Sequence, residues 1–259
     1  MSENTRNAPS AAARTALVTG GSRGIGAATA LLAAQHGWAV AVNYTSDAAA
    51  ANAVVARIVE RGGRALALQA DVSDDAAVIA MFERIDRELP PLDSLVNNAG
   101  VVDMAARVEQ FTPARLQRMF AINVFGTFYC AREAVRRMST RHGGRGGTIV
   151  NLSSAAARIG APGQYVDYAA AKGAIDVFTI GLAKEVAPEG IRVNAVRPGI
   201  IATDIHASGG VPDRVAQMAP LVPMQRAGSA DEVAQAILWL MSDASSYTTG
   251  AVIDSTGGR

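Results

Sequence analysis

The residues of this chain that can do chemistry are few and clustered. Tyr168 and Lys172 stand four apart in the run YAAAK, within a stretch of helical period, so their side chains share one helix face a turn apart. A phenol exchanges a proton with a substrate oxygen at useful rates only if its pKa falls from about 10 toward the working pH. A lysine ammonium one turn away stabilises the phenolate, and a fall of about 3 units requires about 4 kcal/mol of differential interaction. Just upstream, Asn151-Leu152-Ser153-Ser154 closes a strand, where a hydroxyl would hydrogen-bond a substrate oxygen as a small oxyanion site. Two other polar strand ends, Asn97-Asn98-Ala99-Gly100 and Arg197-Pro198-Gly199-Ile200, fall at the same carboxyl edge, where α/β sheets bind ligands.

A fourth strand end supplies a place for a phosphate. The first strand runs into Thr19-Gly20-Gly21-Ser22-Arg23-Gly24-Ile25-Gly26 and then a helix. Glycines here let backbone N–H groups approach a pyrophosphate seated on the positive end of that helix. The spacing TGxxxGxG departs from the GxGxxG dinucleotide fingerprint by one residue in its turn. Predicted cofactor contacts are Gly20, Ser22, Arg23, Gly24, Ile25 and Gly26. An NAD site places an acid at the end of the second strand to accept from the ribose hydroxyl. Here that strand ends Val42-Asn43-Tyr44, with Asp47 too late, and Arg23 inside the turn can pair with a 2′-phosphate. The sequence therefore favours NADP(H) and leaves NAD(H) open as a second cofactor. Asn43 and Tyr44 join the predicted nucleotide contacts, as do Asp71 and Val72 at the adenine edge, although Asp71 serves equally well as a helix cap.

The elements that must position these groups follow a βαβ rhythm, which builds a parallel sheet covered on both faces. Seven strands are predicted: Thr15 to Thr19, Trp38 to Asn43, Ala65 to Ala70, Ser94 to Asn98, Thr148 to Leu152, Arg192 to Val196 and Ala251 to Asp254. Helices are predicted over Gly24 to His36, Asp47 to Arg61, Ser73 to Glu88, Thr112 to Arg141, Gln164 to Val186 and Ser229 to Ser242. Caps are expected at Ser73, at Thr112 followed by Pro113, and at Ser229 with Glu232 as a capping box. The reading is α/β, a doubly wound Rossmann fold of seven parallel strands, with residues 1–13 a flexible leader and 14–259 one domain. The stretch Ile200 to Ala227, rich in Gly and Pro, reads as a functional lid. The basic run Arg132 to Arg145 reads as a solvated helix end favoured by the dipole.

Composition excludes several alternatives. Of 259 residues 49% are hydrophobic and the formal net charge is +1, which argues against disorder and against a nucleic-acid or membrane-surface partner. A lone Cys130 closes no intrachain disulfide and reads as a helix-face hydrophobe; the three histidines, His36, His142 and His206, are scattered, so no metal site is expected. The residues before Arg14 form neither a signal peptide nor a spanning helix, and the expected compartment is the reducing cytoplasm.

Taken together, TGGSRGIG, NNAG, Asn123 in the helix that follows, SS before YAAAK, and RPG with Thr203 beyond it resemble the short-chain dehydrogenase/reductase family in its compact single-domain form. The resemblance covers nearly everything after the leader and is more narrowly to 3-oxoacyl carrier-protein reductases and sugar dehydrogenases. It implies a catalytic tetrad of Asn123, Ser154, Tyr168 and Lys172, with Asn123 positioning a water that relays protons to Lys172. Further cofactor contacts follow at Asn98, Ala99, Gly100, Tyr168, Lys172, Pro198, Gly199, Ile200 and Thr203. Ser154 stands 14 positions before Tyr168, one more than the family's commonest spacing, which leaves Ser153 as a rival. Expected pocket residues are Val101, Val102, Met104, Ala155, Ala156, Tyr165, Ile205 and His206, mostly apolar or small, which suggests a carbonyl or alcohol substrate without strong anionic anchoring. Helices with apolar residues on more than one side, such as Phe128 and Val177, point to a homo-oligomer, and the family implies a tetramer. A nucleotide-binding sensor without turnover, an NAD-dependent sugar dehydrogenase, and an isomerase or epimerase are the rivals. Sensors of this fold typically lose the Tyr or the Lys, and both are present here.

Overall fold

The computed structural model describes residues 14–203, 209–211 and 213–259. The expected leader and two expected pocket residues, Ile205 and His206, lie outside them. The apolar runs form β1 (Arg14–Val18), β2 (Trp38–Tyr44), β3 (Ala65–Gln69), β4 (Leu92–Asn97), β5 (Gly147–Leu152), β6 (Ile191–Pro198) and β7 (Val252–Ser255). All pair in parallel in one sheet of order β3-β2-β1-β4-β5-β6-β7. The chain winds outward from β1 in one direction and from β4 in the other, which opens a crevice at the carboxyl ends between them.

Alternation along the strands divides the core into two layers. Leu17, Ala41, Leu95 and Ile149 pack under α3 (Asp75–Glu88), α5 (Gly126–Met138) and α7 (Val166–Val186). Their neighbours Val18, Val42, Val96 and Val150 pack under α1 (Gly24–Gln35), α2 (Ala48–Val59) and α9 (Ala230–Met241). Each large aliphatic side chain buried here contributes about 1.5–3 kcal/mol. This is the doubly wound Rossmann fold that the βαβ rhythm predicts.

Three local differences have physical causes. The helix expected over Thr112 to Arg141 is broken into α4 (Pro113–Phe120), a π turn (Ala121–Phe125), α5 and a 3-10 turn (Thr140–His142). The π turn carries Asn123, whose Nδ2 donates to the Met119 and Val101 carbonyls, both at 3.0 Å. Immediately after it, Gly126 presses on Val72, where a Cβ would fall 2.7 Å from Val72 Cγ2. At α3 the cap is Asp74, which accepts from the Ala76 and Ala77 amides, while Ser73 is held by Asp71 Oδ1 through its own N–H and hydroxyl. Thr112 and the Ser229–Glu232 box cap as expected. The basic run is not simply solvated: Arg132, Arg136 and Arg137 surround a buried Glu133, and Arg137, Arg141 and Arg145 reach Asp86, Glu189 and Asp93.

The long stretch after β6 is pinned at both ends. Ala202 N–H donates to the Gly228 carbonyl and Gly228 N–H to the Ile200 carbonyl, each at 2.9 Å. Between them lies a short helix, α8 (Arg214–Met218). Among the described residues no helix is long and apolar enough to cross a membrane, and no group of His, Cys, Asp and Glu has metal-site geometry.

Candidate active site

The glycine-rich turn takes its shape from a few positions where a side chain cannot fit. Gly20 and Gly24 have φ of +60° and +53°, and a Cβ on Gly26 would fall 2.3 Å from the Gly20 carbonyl oxygen. Polar side chains brace it from below. Asn43 Oδ1 accepts from Gly20 N–H (3.2 Å), Asn98 Nδ2 donates to the Thr19 and Gly20 carbonyls (2.9 and 3.0 Å), and Thr19 Oγ1 accepts from the Asn98 and Ala99 amides (both 3.0 Å). Asn43 also ties β2 to β3 through the Leu68 and Ala70 carbonyls. These two asparagines, expected as nucleotide contacts, spend their amides on building the turn. The N-terminus of α1 carries no side-chain cap, so its first N–H groups are directed at whatever occupies the turn, and this fits a dinucleotide pyrophosphate. Arg23 is exposed at its edge with no ion pair among the described residues. Thr203 sits over the same turn, its Cγ2 3.3 Å from where a Gly24 Cβ would stand.

At the end of β5, Lys172 is buried and its Nζ donates to the Leu152 carbonyl at 2.6 Å. Ser153 Oγ donates back to the Lys172 carbonyl at 3.2 Å. That bond commits Ser153, whereas Ser154, whose Oγ accepts from Ala156 N–H at 3.1 Å, lines the same crevice as the Tyr168 phenol. Lys172 Nζ lies 5.7 Å from the Tyr168 ring centroid. Burial pushes the Tyr168 phenol above its usual value, with the Ser154 hydroxyl acting the other way, and burial lowers Lys172 to about 8, partly offset by the Asp176 carboxylate. In the protein alone the phenol therefore lies above its usual value, because its burial is the larger effect.

Asn123 faces the same point from the π turn. Its Oδ1 accepts from Val101 N–H (3.1 Å), and a Cβ on Gly100 would fall 2.8 Å from that oxygen and 3.5 Å from Lys172 Nζ. Sequence reasoning missed a buried ion pair beside this group. Arg115 Nε and Nη2 clamp Asp167 at 2.7 and 3.2 Å, Asp167 Oδ1 accepts from Tyr168 N–H, and Arg115 Nη1 donates to the Met104 carbonyl. The partners are 52 residues apart, and no local pattern joins them.

Ser154, Tyr168 and Lys172 open on one crevice of about 160 Å³, which Ile25 borders from the glycine turn, whereas Gly20, Ser22, Arg23, Gly24, Gly26 and Asn123 do not line it. Of the expected pocket residues, Val102, Ala155, Ala156 and Tyr165 line it, whereas Val101 and Met104 do not. Ile25, Asn98, Gly100, Pro198, Gly199, Ile200 and Thr203 share its wall with Ser154, Tyr168 and Lys172. Asp71 is exposed beside α3 and Val72 is buried, and neither lines it. Arg214 and Arg259, which no sequence signal singled out, also line it.

Residues 20–259 match the family model described as Enoyl-(Acyl carrier protein) reductase. The chain is 58% identical over 244 residues to Uncharacterized oxidoreductase YgfF of Escherichia coli (strain K12), covering 94% of this chain and 99% of that protein. It is 39% identical to a 3-oxoacyl-acyl-carrier-protein reductase of Synechocystis sp., over 95% of this chain and 96% of the relative. The solved structure of a mutant short-chain dehydrogenase/reductase from Serratia marcescens superposes with a TM-score of 0.86 at 35% identity, covering 95% of this chain and 97% of that one. The chain belongs to the short-chain dehydrogenase/reductase family. As a short-chain dehydrogenase/reductase it is an NAD(P)-dependent oxidoreductase acting on CH–OH groups.

The buried lysine makes the stability of this dehydrogenase/reductase depend on pH. Its folded pKa, about 8, lies below the unfolded value of 10.5, so between those values the unfolded chain holds more protons and stability rises with pH. Below about pH 8 the cost of the buried ammonium is fully present. The stability advantage of Lys172→Met over the native protein is expected to shrink by about 2 kcal/mol between pH 7.5 and 9.5 in urea unfolding. An advantage that stays constant over that range would contradict a depressed Lys172.

Proposed function

We propose that this dehydrogenase/reductase prefers NADP(H) over NAD(H) and passes a hydride between the nicotinamide and the carbonyl or secondary alcohol of a small substrate with a mainly apolar body. Tyr168 is the general acid/base. The observation that carries the reading is Tyr168, Ser154 and the buried Lys172 lining one crevice together with Ile25 of the uncapped, glycine-rich helix start. The bound nicotinamide supplies or accepts the hydride. The chain's own residues do the rest. In reduction, Tyr168 donates its proton to the oxygen that gains charge, and Ser154 donates a hydrogen bond to the same oxygen. The positive charge of Lys172 counters desolvation of the phenolate left behind. The Asn123 amide is already used by Val101 and Met119, so a water relay toward Lys172 would run through its main chain.

Gly20, Ser22, Gly24, Ile25 and Gly26 would cradle the pyrophosphate, and Arg23 would pair with a 2′-phosphate. Tyr44, Asp71 and Val72 would border the adenosine, with Asn43 and Asn98 shaping the turn. Ala99, Gly100, Pro198, Gly199, Ile200 and Thr203 would border the nicotinamide half. Residues 14–259 act as one domain, which the single sheet running from Arg14 to Ser255 supports, and the site of action is the cytoplasm.

The exposed aromatic and aliphatic faces of α5 and α7 support assembly into a homotetramer. Val177 is 72% exposed, and Phe128, 43% exposed, stacks on Phe178 with ring centroids 3.9 Å apart. Sedimentation at micromolar concentration should give a tetramer, and a stable monomer would contradict the proposal. In steady-state kinetics, Tyr168→Phe should cut turnover by about 10²–10⁴-fold while still binding nucleotide. Arg23→Ala should raise KM for NADPH about 10-fold more than KM for NADH. Surviving turnover would place the acid elsewhere, and equal effects on both nucleotides would overturn the cofactor preference.

A further inference from the structure

Charge in the crevice is unbalanced in a specific way. Among the described residues its wall holds three cationic side chains, Lys172, Arg214 and Arg259, and no acidic one. Lys172 is committed to the Leu152 carbonyl. Neighbouring arginines are each matched by an acid: Arg158 by Asp254, Arg226 by Glu232 and Arg197 by Asp176. Arg214 and Arg259 pair with no acid among the described residues.

Arg214 is held for use. Its guanidinium lies over the Tyr165 ring with Cζ 5.2 Å from the centroid, and Nη1 donates to Gln164 Oε1 at 2.8 Å. Tyr165 is itself buried, and its hydroxyl donates to the Gly209 carbonyl at 3.3 Å. The ring contact and the Gln164 bond restrain the guanidinium, and Nε and Nη2 have no acceptor among the described residues. A fixed guanidinium edge matches a carboxylate or phosphate through two parallel bonds. Tyr165 precedes Tyr168 by one helical turn, so the fork and the phenol stand on adjoining walls of the crevice.

We infer that the substrate bears an anionic group, a carboxylate or a phosphate, a few bonds from its reacting carbonyl, and that Arg214, seconded by Arg259, holds that group while Tyr168 meets the carbonyl oxygen. This rests on the reductase reading and adds the substrate class to it. The apolar wall accommodates the carbon skeleton between the two polar ends.

The test compares a 3-oxocarboxylate, its methyl ester, a ketone phosphate and a neutral N-acetylcysteamine thioester as substrates, using kcat/KM with NADPH. Calorimetry of butyrate, methyl phosphate and butyramide on the NADPH-loaded enzyme provides a readout independent of turnover. One anion should exceed its neutral counterparts by about 10- to 100-fold, mainly through KM, and the two anionic arms decide between carboxylate and phosphate. Arg214→Leu should abolish the preference, and Arg214→Lys should restore part of it. The Lys variant also serves if the Leu variant fails to fold. Neutral compounds turned over as well as the anions, or a preference unchanged in both variants, would overturn the anion site while leaving the reductase reading intact. Arg214-dependent anion binding without NADPH oxidation by any compound would uphold the anion site and overturn the reductase reading.

Discussion

The hydrogen bond from Lys172 Nζ to the Leu152 carbonyl is the constraint on which the site depends. It ties α7 to the last residue of β5, and Ser153 closes the loop by donating to the Lys172 carbonyl. Helix and strand end are thereby locked in both directions, and the distance between Tyr168 on one and Ser154 on the other is set by rigid elements. Three further contacts hold the same helix. The Arg115–Asp167 clamp fixes its first turn to α4, Asn151 Nδ2 donates to Thr179 Oγ1 at 2.9 Å, and Arg197 on β6 grips Asp176 at 2.9 Å. The β4 end joins through Asn97 Nδ2, which donates to Asn151 Oδ1 at 2.9 Å.

The electrostatics follow from that placement. An ammonium brought into the interior loses solvation, and one carbonyl with a carboxylate a helical turn away compensates only in part. Asp176 supplies the carboxylate, but its Oδ2 is engaged by Arg197, and its Oδ1 is buried with no partner among the described residues. Lys172 therefore sits near the point of losing its proton at neutral pH, and the phenol beside it is also driven toward its neutral form. At neutral pH such a pair keeps both protons, a charged lysine beside a neutral phenol. This preparation costs stability, the usual relation between an active site and the fold that carries it.

Much of this was legible in the sequence because it is local. Period-two and period-3.6 runs fix strands and helices, the glycines of the phosphate turn reveal themselves by spacing, and Tyr168 and Lys172 share a face whatever the tertiary structure. What the sequence did not disclose joins residues far apart in the chain. Arg115 and Asp167 meet only after folding, and Arg214 reaches Tyr165 across a stretch with no periodicity. Nothing in its own run marks Asn123 for a π turn, because the turn is stabilised by bonds to Val101 and Met119. The choice between Ser153 and Ser154 turns on which hydroxyl the lysine carbonyl captures, and that is a matter of geometry. The strand-end positions of Asn43 and Asn98 are legible, whereas the bonds by which their amides brace the glycine turn and β3 are not.

The chain contains only two lysines, Lys172 and the exposed Lys184, so the central claim can be examined directly. A pH titration of the protein labelled with ¹³C at lysine Cε should give two resolved resonances, assigned by the loss of one in Lys172→Met. The Lys172 signal should titrate near pH 8. A Lys172 signal titrating at the ordinary lysine value of about 10.4 would show an ammonium that is not desolvated against Leu152, and would contradict the account.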